Sequence, residues 1–299
     1  MKALVTGAAG FVGRHLITHL QTMGDDVVGI DLQDGPDLLD GEALRDKILG
    51  TSPDAVYHLG GWSDIGGSWT DPQGAFRANA DGTLNLLQAC IAAKVPRVLS
   101  VSSADVYGKV MLTELPINEQ SELRPITPYA ASKIAADFLG LQAFLGYGLD
   151  VIRVRAFNHL GPGQTNRFVA SAIAERVATN ERDGSEIVPV GNLSPRRDFT
   201  DVRDVVRAYR LLVEHGSAGE AYNVCSGNDI AISELADNIL RLSDRPMRLE
   251  EDSSLQRPVD VPVLLGDPTK VFQATNWSPE ISLDQTLMDL LSQWRQLTP

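Results

Sequence analysis

Tyr129 and Lys133 stand four positions apart in Pro128-Tyr129-Ala130-Ala131-Ser132-Lys133, downstream of Val101-Ser102-Ser103-Ala104-Asp105-Val106-Tyr107-Gly108. Four residues make about one helical turn, so if Tyr129 opens a helix, the phenol and the ammonium share a side and can meet. A cation beside a phenol favours the phenolate and lowers its pKa from the ordinary value of about 10. Such a pair suits chemistry in which a proton and a hydride move together at an alcohol or ketone, because the oxygen needs a proton source while the carbon accepts hydride. The pair therefore calls for a nicotinamide cofactor.

The amino terminus has the features to hold one. Apolar Ala3-Leu4-Val5 leads to Gly7, Gly10 and Gly13, with Phe11 and Val12 among them, and then to a helical pattern through Leu16, Ile17 and Leu20. Glycines there let the backbone turn tightly, admit a pyrophosphate to the main chain and let the helix pack close to the sheet. Without the flanking strand and helix the same triplet would be an ordinary turn. Asp31 lies 24 residues beyond Gly7, at the end of the strand pattern Val27-Val28-Gly29-Ile30. A carboxylate there can accept hydrogen bonds from an adenosine ribose and repels a 2′-phosphate, which favours NAD(H) without excluding NADP(H). It can equally serve a turn in Asp31-Leu32-Gln33-Asp34-Gly35-Pro36.

These groups need a scaffold, and the alternation of patterns supplies one. Further strands at 55–59, 97–101 and 151–154 alternate with helical patterns at roughly 71–94 and 129–146. This predicts an α/β fold, a doubly wound, Rossmann-like parallel sheet covered on both faces. After Asn158-His159-Leu160-Gly161-Pro162-Gly163 the alternation fails, Pro and Gly become frequent, and short extended pieces appear at 187–190 and 221–224. The expected division is a dinucleotide-binding domain over 1–160 and a smaller mixed α/β substrate domain over 161–299, with some segments returning to the first.

Composition sets outer bounds. A chain of 299 residues, 43% hydrophobic and 22% charged, can bury a full core and is not disordered. A net charge of −13 argues against nucleic acid and anionic membranes as partners. No run approaches the ~20 apolar residues of a membrane span. Cys90 and Cys225 lie far apart without metal-ligand spacing, and no charged segment precedes an apolar signal core, so a cytoplasmic protein with free thiols is expected. An anionic cofactor or substrate must then find its own local positive groups.

Gly7-x-x-Gly10-x-x-Gly13, Asn79 in Asn79-Ala80-Asp81-Gly82-Thr83, Ser103 ahead of Ala104-Asp105-Val106-Tyr107-Gly108, and Tyr129 with Lys133 together resemble the extended short-chain dehydrogenase/reductases of the NAD-dependent epimerase/dehydratase family. The likeness runs over essentially the whole chain. Phe157-Asn158-His159-Leu160-Gly161-Pro162-Gly163-Gln164, Val190-Gly191-Asn192-Leu193, Arg197-Asp198-Phe199-Thr200-Asp201-Val202-Arg203-Asp204, and Arg257-Pro258 leading to Leu265-Gly266-Asp267-Pro268-Thr269-Lys270 resemble the GDP-mannose branch. That branch holds GDP-mannose 4,6-dehydratases and the GDP-4-keto-6-deoxy-D-mannose reductases that make GDP-D-rhamnose. The 158–164 motif with Tyr222-Asn223-Val224-Cys225-Ser226-Gly227 is nearer the reductases.

The resemblance implies roles. Tyr129 exchanges the proton, Ser103 hydrogen-bonds the sugar C4 oxygen, and Lys133 holds the nicotinamide ribose and tunes Tyr129. Leu59 and Gly60 join Gly7, Gly10, Phe11, Val12, Gly13 and Asp31 around the cofactor. Asn158 meets the substrate, while Arg197 and Arg257 grip the GDP diphosphate, a task that planar guanidinium forks suit and that surface salt bridging competes for. Asp105 occupies the position of the dehydratases' C5 base, usually Glu. Its carboxylate is retracted by a methylene, and ~1 Å of misplacement matters in catalysis, so reduction of a nucleotide-linked 4-keto-6-deoxyhexose is favoured over 4,6-dehydration. A 4-epimerase and a dinucleotide-binding sensor are the remaining readings. The family likeness also implies a homodimer through the 71–94 and 129–146 helices. Gly60-Gly61 departs from the family's paired alanines, which predicts a looser loop. His15 and His19 share a helix face without a third ligand, so no metal is expected. His58 reads as a packed core residue, and Trp62 and Trp69 as cleft walls or space-fillers.

Overall fold

Short apolar runs bounded by glycines and polar residues build the strands, and 3.6-period stretches between them build the covering helices. The computed structural model describes residues 1–255 and 261–298. In chain order the strands are β1 Lys2–Thr6, β2 Asp26–Ile30, β3 Ala55–His58, β4 Arg97–Val101, β5 Val151–Ala156, β6 Asn158–Leu160, β7 Ile187–Val190, β8 Arg196–Asp201, β9 Ala221–Val224, β10 Asp229–Ala231, β11 Arg248–Glu251 and β12 Val263–Leu264. The helices are α1 Phe11–Thr22, α2 Gly41–Thr51, α3 Gly67–Thr70, α4 Pro72–Phe76, α5 Gly82–Ala93, α6 Pro128–Tyr147, α7 Val169–Asp183, α8 Val202–His215, α9 Ile232–Arg241, α10 Thr269–Thr275 and α11 Leu283–Leu297.

The main sheet has six strands in the order β2-β1-β3-β4-β5-β9, every neighbouring pair parallel. Alternate residues of each strand feed opposite layers, as the pleat requires. Ala3 and Val5 pack with Leu16 and Leu20 of α1 and Leu212 of α8, whereas Leu4 packs with Leu44 and Ile48 of α2 and Leu86 of α5. Both faces are thereby buried, the doubly wound arrangement expected from the sequence. A second assembly combines the β10-β8-β12 sheet, with β6 paired to β8, and the β7 and β11 pair. Its apolar core gathers residues of α7, α9 and α11. The sixth strand of the main sheet, β9, and the α8 helix that packs against β4 and β5 both come from beyond residue 200.

The long helical pattern at 71–94 is not one helix. It is α4, a π-helical turn over Arg77–Asp81, and α5. The extra residue of a π turn is invisible to an apolar repeat and is often found at functional sites. By contrast α6 is continuous: the Thr127 side chain accepts the amide of Ala130, Pro128 stands in its first turn, and Gly148 closes it in the left-handed conformation.

A buried ionic cluster locks α6 to the sheet. Asp137 of α6, 1% exposed, accepts Arg153 Nη1 at 2.5 Å and Arg155 Nε at 3.1 Å, both arginines belonging to β5. The arginines also donate to the carbonyls of Gly219 and Glu119, at 2.9 and 3.1 Å, and Arg155 reaches the Tyr107 hydroxyl at 3.1 Å. Removing the carboxylate that both guanidiniums share would leave two buried cations without it. Asp137→Asn is therefore expected to lower stability by about 3 kcal/mol or more, read as a reduced urea midpoint at unchanged slope; a midpoint equal to that of the parent would refute the assignment.

Candidate active site

The glycine turn and the end of β3 abut so closely that side chains are excluded. Gly7 has a φ of +70°, and a Cβ there would lie 2.9 Å from the Gly60 nitrogen, while one on Gly13 would lie 2.1 Å from the Gly7 oxygen. This cradle opens onto the first turn of α1, where Gly10 offers no side-chain cap and Phe11, Val12 and Gly13 line the cavity. Amides at a helix N-terminus with a main chain bared by glycine suit a pyrophosphate. Asp31, just beyond β2, accepts the Ala9 amide at 3.0 Å and lines the same cleft beside Leu32, Pro36 and Asp37. The residues present thus fit a dinucleotide.

The cleft holds about 630 Å³ and runs from this cradle past Leu59, Gly60, Trp62, Asp105, Tyr129 and Lys133 to Phe157, Asn158, His159 and Gln164. Among the described residues lining it, Lys133 is the one ammonium or guanidinium group. Ser103 ends the β4 loop, accepts the amide of Asp105 at 3.2 Å and lies 3.1 Å from Asp105 Oδ2. Lys133 Nζ donates to the Val101 carbonyl at 3.1 Å. Ser103, Tyr129 and Lys133 are each 8% exposed, and Tyr129 and Lys133 both line the cleft.

The electrostatics differ from the expectation that the ammonium draws the phenol towards ionisation. Burial, followed by the Asp105 carboxylate, pushes the Tyr129 phenol up, and burial pushes the Lys133 ammonium down to about 8. Spacing brought the two side chains to one face, but desolvation penalises both charged forms at once and outweighs their mutual help.

The loop after β3 also corrects the sequence reading. Gly61 sits at φ +146°, where a Cβ would strike Asn79 Oδ1 at 2.5 Å. The Gly60 amide donates to Thr6 Oγ1 at 3.0 Å and the Trp62 amide to Asn79 Oδ1 at 2.8 Å. Asn79, from the π turn, donates in turn to Ser132 Oγ of α6 at 2.8 Å. The paired glycines permit a tied loop instead of a loose one. His58 is buried between the hydroxyls of Thr6 and Thr83, each at 2.9 Å, and burial lowers it to about 3. A neutral imidazole donates through one of these nitrogens and accepts through the other, so both hydroxyls engage it.

The other singled-out residues separate. Trp62 lines the cleft, whereas Trp69 is 42% exposed. Arg197, on β8, donates through Nη1 to the carbonyls of Arg196 and Val261 at 2.8 and 2.7 Å; Arg257 lies outside the described residues. His15 donates to the Pro162 carbonyl at 2.7 Å, and among the described residues no group of three or more potential metal ligands assembles. Asn158, expected on the substrate side, lines the cleft, whereas Asn79, Ser68 and the neighbouring Phe157, His159 and Gln164 were not assigned to the site from the sequence. Asn79 stood in a motif, but its part depends on the π turn, and Ser68, which accepts the Tyr129 amide at 3.2 Å, lies in a segment with no periodic signal.

Comparisons with known proteins agree over the whole chain. The model of the NAD dependent epimerase/dehydratase family matches residues 3–225. GDP-6-deoxy-D-mannose reductase of Pseudomonas aeruginosa is 37% identical over 295 residues, 98% of this chain and 97% of that protein. The structure of RMD from Pseudomonas aeruginosa complexed with NADPH superposes with a TM-score of 0.92 at 36% identity, covering 99% of this chain and 100% of the other. The UDP-glucose 4-epimerase of Thermus thermophilus in complex with NAD gives 0.88 at 28%, covering 99% of each.

Lys133 is held in its charged form against a burial penalty at any pH below about 8. Its depressed folded-state pKa means that the penalty is complete below that value and disappears above the ordinary lysine range near 10.4. Lys133→Met is accordingly expected to raise Tm by roughly 2 °C or more at neutral pH, with the gain shrinking as pH rises towards 10.4. Calorimetry across that range checks it, and a lower Tm at neutral pH would contradict it.

Proposed function

The chain belongs to the NAD dependent epimerase/dehydratase family, and on that premise we propose that it reduces the C4 keto group of a GDP-linked 4-keto-6-deoxyhexose, converting GDP-4-keto-6-deoxy-D-mannose to GDP-D-rhamnose. The observation that carries this reading is that buried Tyr129 and Lys133 line one cleft with a glycine cradle, with buried Ser103 between Ser102 and Ala104 of its wall. Full-length similarity to a protein named GDP-6-deoxy-D-mannose reductase supports the substrate.

Gly7, Gly10, Phe11, Val12 and Gly13 hold the pyrophosphate, Asp31 the adenosine ribose, Leu59 and Gly60 the adjoining face, and Lys133 the nicotinamide ribose. When bound, the reduced dinucleotide supplies the hydride to C4. Tyr129, kept as a neutral phenol by burial and by Asp105, delivers a proton to O4, and Ser103 orients that oxygen. The ketone thus gains one hydride on carbon and one proton on oxygen. Asn158 stands on the sugar side of the cleft, and Arg197 and Arg257 take the diphosphate. Asp31 and Asp37 beside the cradle, with no arginine lining it among the described residues, favour NADH over NADPH.

A second reading, 4,6-dehydration, is favoured by one observation, the Asp105 carboxylate in the cleft wall. It requires conversion of GDP-mannose with no added reductant. The division into 1–160 and 161–299, a cytoplasmic location and a homodimer complete the proposal. For the dimer, α6 carries exposed Phe138, Leu145 and Tyr147, at 51, 72 and 65%. Phe138→Glu is expected to halve the particle mass in analytical ultracentrifugation, and a parent that sediments as a monomer would remove the dimer.

The protein is expected to consume NADH in the presence of GDP-4-keto-6-deoxymannose, with a higher kcat/KM than with NADPH. Tyr129→Phe should lose about 10²–10⁴ in kcat. No consumption with either cofactor would sink the reductase reading, and turnover of GDP-mannose alone would install the dehydratase in its place.

A further inference from the structure

Asp198 stands in β8 beside Arg197, wholly buried, and four neutral donors hold its carboxylate. Oδ1 accepts the Ser226 amide at 2.8 Å and the Ser226 hydroxyl at 2.6 Å, while Oδ2 accepts the amides of Gly227 at 2.9 Å and Gly266 at 3.3 Å. A buried charge is costly to keep, and apolar residues of similar volume often serve stability as well. This one joins three segments: β8, the loop after β9 and the turn after β12. Since β8 belongs to the second assembly and β9 to the main sheet, the carboxylate spans the seam between them. We infer that Asp198 is a positioning residue for the sugar nucleotide: by tying β8 to the ends of β9 and β12 it fixes Arg197 relative to the Phe157 and Leu264 wall of the cleft, and so governs how tightly the substrate is held. This rests on the reading that Arg197 takes the diphosphate of a GDP-linked sugar bound beside Asn158.

The path from the carboxylate to the wall is short. Gly266, whose amide it accepts, is pressed so close that a Cβ there would lie 2.5 Å from Cys225 Sγ and 2.7 Å from Phe157 Cζ. Phe157, Cys225 and Leu264 pack in one buried cluster with Ala104 and Ile117, and Phe157, Leu264 and Ala104 line the cleft. On either side of Gly266, the Ile117 amide donates to the Leu265 carbonyl and the Asp267 amide to the Ile117 carbonyl, each at 2.8 Å. Successive side chains of a strand point to opposite faces, so Arg197 leaves β8 away from Asp198, and it donates to the Val261 carbonyl at 2.7 Å. Main-chain pairing at Leu264↔Arg197 sets its strand beside β12. Among the described residues that line the cleft, neither Asp198 nor any of its donors occurs. Its effect therefore passes through the wall and through β8, and the glycine cradle of the dinucleotide lies off that path.

The test measures dissociation constants for GDP and for NADH by calorimetry, together with KM and kcat for GDP-4-keto-6-deoxymannose, in the parent, Asp198→Asn and Ser226→Ala. Asparagine keeps the shape but turns an NH₂ group towards amides that need an acceptor, whereas Ser226→Ala removes one of the four bonds and leaves the charge. Asp198→Asn should weaken GDP binding and raise KM about tenfold, and Ser226→Ala about threefold, with kcat and the NADH constant within about twofold of the parent. If Asp198→Asn does not fold, the Ser226→Ala values decide. Unchanged GDP binding in the variants, or a loss of NADH affinity as large as the loss for GDP, overturns the inference, because a general loosening of the fold would strike both ligands. A parent that binds GDP but reduces no keto sugar overturns the reductase reading instead, and the GDP constants still decide the role of Asp198. A parent that binds no GDP overturns the GDP-linked substrate and this inference together.

Discussion

The carboxylate of Asp137, shared between Arg153 and Arg155, is the constraint on which the site depends. Each charge taken from water costs several kcal/mol, so three of them persist in a dry layer only where geometry and further hydrogen bonds are held from every side. Here those sides are α6, β5 and the carbonyls of Gly219 and Glu119. An α6 that slid by one residue would break all of it. Tyr129, Lys133 and Asp137 lie at intervals of four on this helix and so form one stripe. The anchor fixes the stripe against the sheet, and with it Tyr129 and Lys133, whose ammonium meets the Val101 carbonyl at the end of β4.

The same burial that permits such precision sets the protonation of the active groups. An exposed phenol and ammonium would sit at their ordinary values and would be screened from one another by water. Enclosed, the phenol resists ionisation and the amine becomes easier to deprotonate, down to about 8. For a site that must hand a proton to a ketone, a neutral phenol is the useful form. The nearby hydroxyls of Thr6 and Thr83 serve a different purpose. By engaging both ring nitrogens of His58 they keep a neutral imidazole packed below the cleft.

What the sequence made legible was local and periodic. The parallel sheet followed from apolar runs alternating with helical repeats, the cradle from glycines at 7, 10 and 13 between a strand and a helix, and the shared helix of Tyr129 and Lys133 from a spacing of four. What stayed hidden was set by non-local contact. The π turn that presents Asn79 adds a residue without altering composition, so 71–94 read as one helix. Gly60-Gly61 read as slack because the partners that tie it, Thr6 and Asn79, are distant in the chain. The sign of the effect on Tyr129 was reversed for the same reason: spacing reports which groups meet, while burial and the Asp105 carboxylate depend on the whole enclosure.

One feature of the sheet bears on how the two halves of the chain relate. Its outermost strand, β9, hydrogen-bonds along β5 from Arg153↔Ala221 to Ala156↔Val224, yet it arrives only after β6, α7, β7 and β8 of the second assembly have been threaded. Severing the polypeptide near residue 160 would strip that border and bare a row of amides and carbonyls on β5, the kind of raw edge that recruits other strands. The nucleotide-holding half is thus sewn shut by its neighbour, and neither half is a detachable cassette.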